Sequence, residues 1–197
     1  MRTSSTVKTR RRGADLERAI IEVAWAELLD RGYAGLTMEA VAAGALTSRS
    51  VLARRWDGKA ALALAAIRHQ LAKHPLAVPD RGNLRTELLE YLDRVSDLAA
   101  IIGAIYSLLS NGAFSETYAS PQELRQALNG DRTDSLALIL RRAADRHEID
   151  PAKLSPPIET LLNDLIRHHI LMNKSAPPKD LRAAWVDAIF LPLVRTG

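Results

Sequence analysis

Apolar residues recur along the chain at the three- and four-residue spacing that is typical of α-helices. Ile20, Val23, Ala24 and Leu28 form one such stripe, in which Glu27 is the only polar member. Runs in which apolar and polar residues alternate are scarce, so few strands are expected. The pattern predicts an all-α protein.

Glycine, proline and capping residues divide this pattern into about nine helices and no sheet. Gly32 is expected to end the first helix, Thr37 and Ser48 to cap the second and third, and Pro75 stands beyond the fourth. The predicted helices cover residues 14–31, 38–43, 49–55, 58–74, 84–95, 98–109, 121–146, 156–173 and 179–194.

The stretch 74–82 holds two prolines and a glycine, so it is the best candidate for a joint between two units. We therefore predict one domain over residues 1–75 and a second over residues 76–197. The first carries 13 Lys and Arg against 7 Asp and Glu, a net of +6, whereas the second carries 14 against 16, a net of −2. This asymmetry indicates a polyanion-binding end, although chance and a disordered basic tail would produce it as well.

Residues 36–56 carry the most informative local pattern, a short helix, a turn and a second short helix rich in arginine. Such a helix-turn-helix can lay its second helix in the major groove of DNA. Leu52 and Trp56 lie four residues apart and should anchor that helix, which turns its other positions outward. The outward positions are Arg49, Ser50, Ala53 and Arg54. The alternative is an exposed basic face that binds nothing.

Each of these positions suggests a particular contact with DNA. Arg49 and Ser50 lie near the amino end of the second helix, where side chains reach base edges, and Ala53 can touch a thymine methyl. Phosphate contacts are expected from Thr37, Ser48, Arg55 and Lys59, partly through helix amino ends. A basic arm formed by Lys8, Arg10, Arg11 and Arg12 either follows the DNA or is an idle tail.

Several short motifs are shared with a known family. They are Gly32-Tyr33, Thr37-Met38-Glu39, Val41-Ala42, Ser48, Leu52, Arg54-Arg55-Trp56 and Lys59-Ala60-Ala61-Leu62. Together they resemble the TetR family of bacterial transcription regulators. The rest of the chain resembles that family in length, in helicity and in the stretch Pro79–Arg85.

Two positions depart from the family pattern. Leu46 stands in the turn where the family commonly has glycine, so the turn is expected to differ slightly. Ala53 stands where the family often has a tyrosine that would touch DNA. We expect Arg49, Arg54 or Arg55 to compensate for that missing contact, and the target sequence cannot be taken from a relative.

The resemblance implies that the second domain binds a small apolar effector. The segment 98–111 is apolar nearly all round and carries a few polar groups, a mixture that suits a ligand cavity. The residues alone favour a packed core instead. The candidate polar lining residues are Tyr91, Tyr106, Tyr118, Asn163 and Arg167.

The last two predicted helices, 156–173 and 179–194, are apolar on more than one face. Each therefore needs two partners, and we predict that one of them is a second copy of the chain. The candidate interface residues are Leu165, His169, Trp185 and Ile189. The alternative is that both helices are internal to one subunit.

Candidate chemistry of other kinds is scarce. The chain has no cysteine, and the adjacent His168 and His169 would point about 100° apart on a helix, which is a poor ligand pair. No catalytic or phosphate-loop motif is present. We therefore predict no metal, no cofactor and no enzyme activity. The polar amino terminus and the lack of a long apolar run predict a cytoplasmic protein with no membrane partner.

These observations predict a TetR-like, sequence-specific transcriptional regulator. We expect a homodimer that binds a pseudo-palindromic double-stranded DNA and acts as a repressor released by a small effector. Two other classes remain open, a helical enzyme and a non-specific architectural DNA-binding protein. Turnover without DNA retention would favour the first, and equal affinity for random DNA would favour the second.

Overall fold

The computed structural model describes residues 13–111, Glu123, Leu128 and residues 135–195. Within these residues the regular structure is helical, and the one β-feature is a single antiparallel bridge near the carboxyl terminus. The all-α prediction is thus confirmed. Some predicted site residues lie outside the described residues, namely Lys8, Arg10, Arg11, Arg12 and Tyr118.

The helices follow the predicted order closely. They are α1 (Ala14–Gly35), α2 (Met38–Gly44), α3 (Arg49–Ala53), α4 (Gly58–Lys73), α5 (Leu84–Ser96), α6 (Ala99–Leu109), α7 (Ser135–Asp145), α8 (Pro156–Asn173) and α9, which runs through Lys179–Ala184, Trp185–Phe190 and Leu191–Val194. A short 3₁₀ turn, Pro151–Lys153, precedes α8.

The chain divides into two compact units, Met1–Ala66 and Ile67–Gly197. The division falls within α4, whereas the sequence placed the domain boundary at about residue 75. Residues 74–83 contain no helix, as their prolines and glycine predict.

The first helix bends where the sequence placed its end. Gly32 has φ 64° and ψ −179°, so the helical path is broken there, although α1 continues to Gly35. Only glycine takes this backbone conformation without steric cost. Thr37 then starts α2, and its hydroxyl accepts a hydrogen bond from the Ala40 N–H at 3.1 Å, as predicted.

The core of the second unit is built mainly from α5, α7, α8 and α9. The predicted stripe on α5 is buried throughout, and its members are Leu84, Leu88, Leu92 and Val95.

The sequence predicts that α6 is surrounded by other helices, and the structure differs. Only Ile101, Ala104 and Leu108 of that helix are buried, while Leu109 is 42% exposed. The described part of the chain thus buries one side of α6 and covers the rest only in part.

The last helix widens into a π-helical turn over Trp185–Phe190, directly before Leu191–Val194. Pro192 has no N–H to donate, and its ring crowds the carbonyl four residues earlier. A wider turn before the proline relieves that clash without ending the helix. The sequence predicted a regular helix here and missed this detail.

The stretch Pro79–Arg85 is held to the rest of the second unit through side-chain contacts. Asp80 accepts a hydrogen bond from the Gly82 N–H at 2.8 Å, and Gly82 has φ 69°. The Leu84 N–H donates to Glu148 at 2.8 Å. Arg85 holds Asp187 of α9 through two hydrogen bonds of 2.6 and 2.8 Å. This motif therefore fixes the start of α5 on the second unit.

Candidate DNA-binding surface

The turn between α2 and α3 is closed by backbone hydrogen bonds. The Thr47 N–H donates to the Ala42 carbonyl at 2.9 Å, and the Leu46 N–H donates to the Ala43 carbonyl at 3.1 Å. This is the Schellman pattern of a helix end, in which one residue takes a left-handed conformation. Leu46 takes it here with φ 56°, and its side chain is 72% exposed. The leucine thus adopts the conformation for which glycine is usual.

Gly44 allows the end of α2 to approach α1 closely. A Cβ atom at this position would lie 2.7 Å from Cγ1 of Val23. That separation is shorter than atoms of packed side chains tolerate, so any larger residue would push the two helices apart. Gly44 therefore fixes the distance between α1 and the helix-turn-helix.

The helix α3 is anchored as its spacing predicted, although it ends at Ala53, so Arg54 and Arg55 lie in the turn that follows. Leu52 is fully buried and Trp56 is 9% exposed. The other predicted positions on this helix and its flank are exposed, and they are Ser48, Arg49, Ser50, Ala53, Arg54 and Arg55. The helix therefore presents a polar and basic face to solvent.

Ser48 does not cap α3 with its side chain, so that prediction was wrong. It occupies the cap position, but no hydrogen bond joins its hydroxyl to the helix backbone. Instead its Oγ lies 2.9 Å from the Oγ of Ser50. The serine pair sits at the amino end of α3, where base-edge contacts were predicted.

Two of the three arginines around α3 are held by carboxylates of neighbouring helices. The Nε of Arg49 lies 2.8 Å from Oε1 of Glu39 on α2. Arg55 donates a hydrogen bond to Glu17 on α1. Arg54 makes no ion pair within the part of the chain that the structure describes. The sequence identified the arginines but not their partners.

Lys59 contacts the end of α1 rather than pointing freely into solvent. Its ammonium lies 4.5 Å from the centre of the Tyr33 ring and 3.3 Å from the carbonyl oxygen of Ala34. Burial raises the pKa of the Tyr33 hydroxyl, so the ring stays neutral beneath the cation. The shared Gly-Tyr and Lys motifs thus join α1 to the start of α4.

Two predicted effector-lining residues bind each other in the second unit. The Tyr91 hydroxyl of α5 donates to Oδ1 of Asn163 on α8 at 2.8 Å, and Tyr91 is 4% exposed. Arg167 lies 3.4 Å from Asp164 of its own helix, and Tyr106 is half-buried on α6. Of the predicted lining residues, Tyr91 and Asn163 are thus in direct contact.

The predicted dimer contacts differ in exposure. The rings of His169 and Trp185 pack edge to face at 6.0 Å within the chain, and Trp185 is only 8% exposed. Leu165 is half-buried, whereas Ile189 is 40% exposed. Further exposed apolar side chains on the same two helices were not named from the sequence. They are Leu171, Met172 and Leu193.

The described residues contain neither a helix fit to span a membrane nor a cluster fit to hold a metal ion. None of the helices in residues 13–111 and 135–195 is long and apolar enough to cross a membrane. In the same part of the chain, no group of three or more His, Asp or Glu side chains is arranged to hold a metal ion.

Comparison with known proteins gives matches over both units. Residues 20–66 match the family model of bacterial regulatory proteins, tetR family. Residues 78–189 match the tetracyclin repressor-like C-terminal domain. The structure is similar to that of the TetR family transcription regulator SCO0332, with a TM-score of 0.63 and 26% identity, over 92% of this chain and 100% of that one.

Curated relatives agree with these matches. An uncharacterized HTH-type transcriptional regulator of Mycobacterium bovis is 32% identical over 181 residues, which cover 89% of this chain and 86% of that protein. The DNA-binding transcriptional repressor TetR of Mycobacteroides abscessus is 38% identical over 78 residues, or 40% of this chain and 41% of that protein. The chain therefore belongs to the TetR family and is a DNA-binding, helix-turn-helix transcriptional regulator.

Proposed function

We propose that the protein is a homodimeric repressor that binds a pseudo-palindromic duplex and leaves it when a small apolar effector binds the second domain. The observation that carries this proposal is the exposed face of α3, held outward by the buried Leu52 and Trp56. A helix of this kind fits the major groove, and guanidinium groups can pair with guanine or phosphate.

The side chains around α3 divide into base and phosphate contacts. Arg49 and Ser50, at the amino end, are assigned to base edges, and Ala53 to a thymine methyl. Arg54 is the strongest phosphate candidate because it has no carboxylate partner within the described residues. Arg55 and Lys59 are assigned weaker phosphate contacts, since each already binds a group of its own unit.

The homodimer is inferred from the small size of α3 and from the exposed apolar surface of α8 and α9. One short helix makes too few contacts for tight and specific binding. Two DNA-binding domains, or heads, can read half-sites about 34–36 Å apart. The carboxyl-terminal helices offer Ile189 and Leu193, which lie four residues apart on α9 and are 40% and 44% exposed. Leu171 and Met172 add apolar surface at the end of α8. We assign these residues, with Leu165, to the subunit contact.

The effector is assigned to residues 76–197, with residues 1–75 as the DNA-binding domain. The half-buried hydrogen bond between Tyr91 and Asn163 places two polar groups beside the apolar core of this domain, and sparse polar groups among apolar side chains are typical of small-molecule sites. An effector that favours a head spacing unsuited to the half-sites would weaken DNA binding by about 1–3 kcal/mol.

Because its target is DNA, we expect the protein in the cytoplasm. No cofactor is required.

Selection of bound duplexes from a randomised library tests the proposal. Wild-type protein should enrich one two-fold symmetric sequence, with half-sites one helical turn or a multiple apart. The Arg49→Ala variant should lose about 1–3 kcal/mol on that duplex and relax the preference at one base pair of each half-site. Enrichment of no sequence would indicate an architectural protein, and enrichment of a single asymmetric site would contradict the dimer.

A further inference from the structure

The contact between Arg49 and Glu39 lies on the exposed face of the helix-turn-helix. The side chains are 70% and 65% exposed, and the Nε to Oε1 distance is 2.8 Å. Glu39 belongs to the first turn of α2, and Arg49 is the first residue of α3. The two residues are thus brought together by the turn that defines the motif.

The backbone around this ion pair is fixed by several contacts. The hydroxyl of Thr37 caps α2, and the backbone hydrogen bonds of Leu46 and Thr47 close the turn. Glu39 therefore has a defined position from which to hold the arginine. An exposed ion pair adds little to folding stability, so stability does not account for this arrangement.

The chemistry of the pair suits base recognition. A guanidinium has five N–H donors, and a carboxylate near Nε uses one or two of them, so at least three remain for a base. An arginine without a partner, such as Arg54, is free to bend toward the nearest phosphate, where it would carry no sequence information. A carboxylate beside Arg49 repels phosphate and restricts the side chain to one direction. An arginine that is already restricted loses less conformational entropy when it binds the base.

We propose that Glu39 is a positioning residue that holds Arg49 for a guanine edge and so sets the sequence preference of the regulator. The inference rests on the proposed function, because it requires a duplex with a preferred sequence. It concerns specificity: Glu39 reduces affinity for any phosphate backbone and raises the preference for the chosen base.

Three variants test this proposal, with the duplex selected by the wild-type protein and a random duplex of equal length as probes. Glu39→Ala should lose about tenfold in affinity for the selected duplex, the lower part of the range for one bidentate base contact. It should gain affinity for the random duplex, because a negative charge has been removed. Glu39→Gln should show the same pattern to a smaller extent. Unfolding of each variant in urea verifies that it is folded.

Asp15→Asn is the matched control, since Asp15 is an exposed carboxylate of the same unit with no ion pair among the described residues. It should change both affinities equally. In the double variant with Arg49→Ala, Glu39→Ala should cause no further loss of preference. If Glu39→Ala raises both affinities as the control does, Glu39 only repels DNA and the inference is overturned. If wild-type protein selects no duplex, the proposed function itself has failed.

Discussion

Leu46 takes a left-handed conformation at a position where glycine would be unstrained. A branched side chain in this conformation costs about 1–2 kcal/mol because its Cβ crowds the neighbouring carbonyl. The side chain is 72% exposed, so packing returns little of that cost. The hydrogen bonds of Leu46 and Thr47 to the end of α2 hold the turn closed despite the strain. The turn therefore contains a local strain that substitution can remove.

Leu46→Gly should stabilise the protein by about 0.5–1 kcal/mol, because the relief of strain exceeds the entropy that glycine adds to the unfolded chain. Urea unfolding of the two proteins measures the difference. Leu46→Ala is the control, since it removes the same exposed side chain but keeps the Cβ that causes the strain. An equal gain from alanine would show that loss of the exposed leucine, and not the backbone, is responsible.

Arg54 and Arg55 are neighbours with different surroundings, and their contributions to DNA binding should differ. Arg55 donates to Glu17, whereas Arg54 has no ion pair within the described ranges. Arg54→Ala should reduce the slope of log affinity against log salt by about one unit per head, and Arg55→Ala by less. Titration of the selected duplex at several salt concentrations measures both slopes. Equal slopes for the two variants would show that the ion pair with Glu17 does not weaken the phosphate contact of Arg55.

At the scale of elements, much of the fold was predicted from the sequence. Caps, breaks and apolar stripes act locally, so the sequence predicted the break at Gly32, the cap at Thr37 and the buried face of α5. Periodicity also gave the outward face of α3 because Leu52 and Trp56 lie on one side. It could not give the partner of Arg49 or the hydroxyl pair of Ser48, since those contacts depend on how neighbouring segments meet. The π-turn before Pro192 likewise depends on how the residues on both sides of the proline pack into the core.

A buried carboxylate joins the 78–82 stretch, α5 and α7. The side chain of Glu87 has no exposed surface. It accepts hydrogen bonds from Arg142 at 2.7 Å and from the Arg81 N–H at 3.0 Å, and Arg146 lies 3.1 Å away. A buried charge is tolerated only when partners of opposite charge surround it. Loss of this charge would leave Arg142 of α7 without its carboxylate partner, whereas Arg146 keeps Asp80 and Glu148.

Glu87→Gln should therefore destabilise the protein by about 3 kcal/mol, at the lower end of the range for breaking a buried pair, because the arginines retain some exposure. Urea unfolding measures the change. Glu90→Gln is the control, since Glu90 also pairs with two arginines but lies closer to solvent. It should cost less than about 1 kcal/mol. Similar losses for the two variants would mean that burial of Glu87 is unimportant.

The ion pair between α5 and α9 should give the second unit a dependence on acid. The two hydrogen bonds from Arg85 hold the pKa of the Asp187 carboxyl below its ordinary value of 3.8. Because the folded pKa is below the unfolded one, the stabilisation is present above pH 3.8 and is lost as pH falls through the folded pKa. Asp187→Asn should lower Tm at neutral pH, and the difference from wild type should shrink in acid.

Thermal unfolding over a series of pH values measures this convergence. Arg85→Met removes the same ion pair from its other side, so it should reproduce the pH dependence of Asp187→Asn. A Tm difference that stays constant into acid would show that the aspartate stabilises the fold through its shape rather than through its charge.

At the scale of the whole molecule, the proposed function requires two copies of the chain. Ile189 and Leu193 stand on one face of α9, and both remain substantially exposed in a single subunit. Contiguous exposed apolar surface is typical of protein contacts. Trp185, in contrast, is already used by the core of its own subunit. The contact between subunits should therefore depend on Ile189 and Leu193.

Leu193→Glu should convert the dimer to a monomer, because a symmetric contact would bring two buried carboxylates together. Sedimentation equilibrium at micromolar concentration should show twice the chain mass for wild type and the single mass for the variant. Leu29→Glu is the control, since Leu29 is 50% exposed on α1 and should leave the mass unchanged. The monomeric variant should also lose its preference for the selected duplex, because one head reads only one half-site. A wild-type monomer that still binds the symmetric duplex tightly would separate DNA recognition from this surface and contradict the proposed assembly.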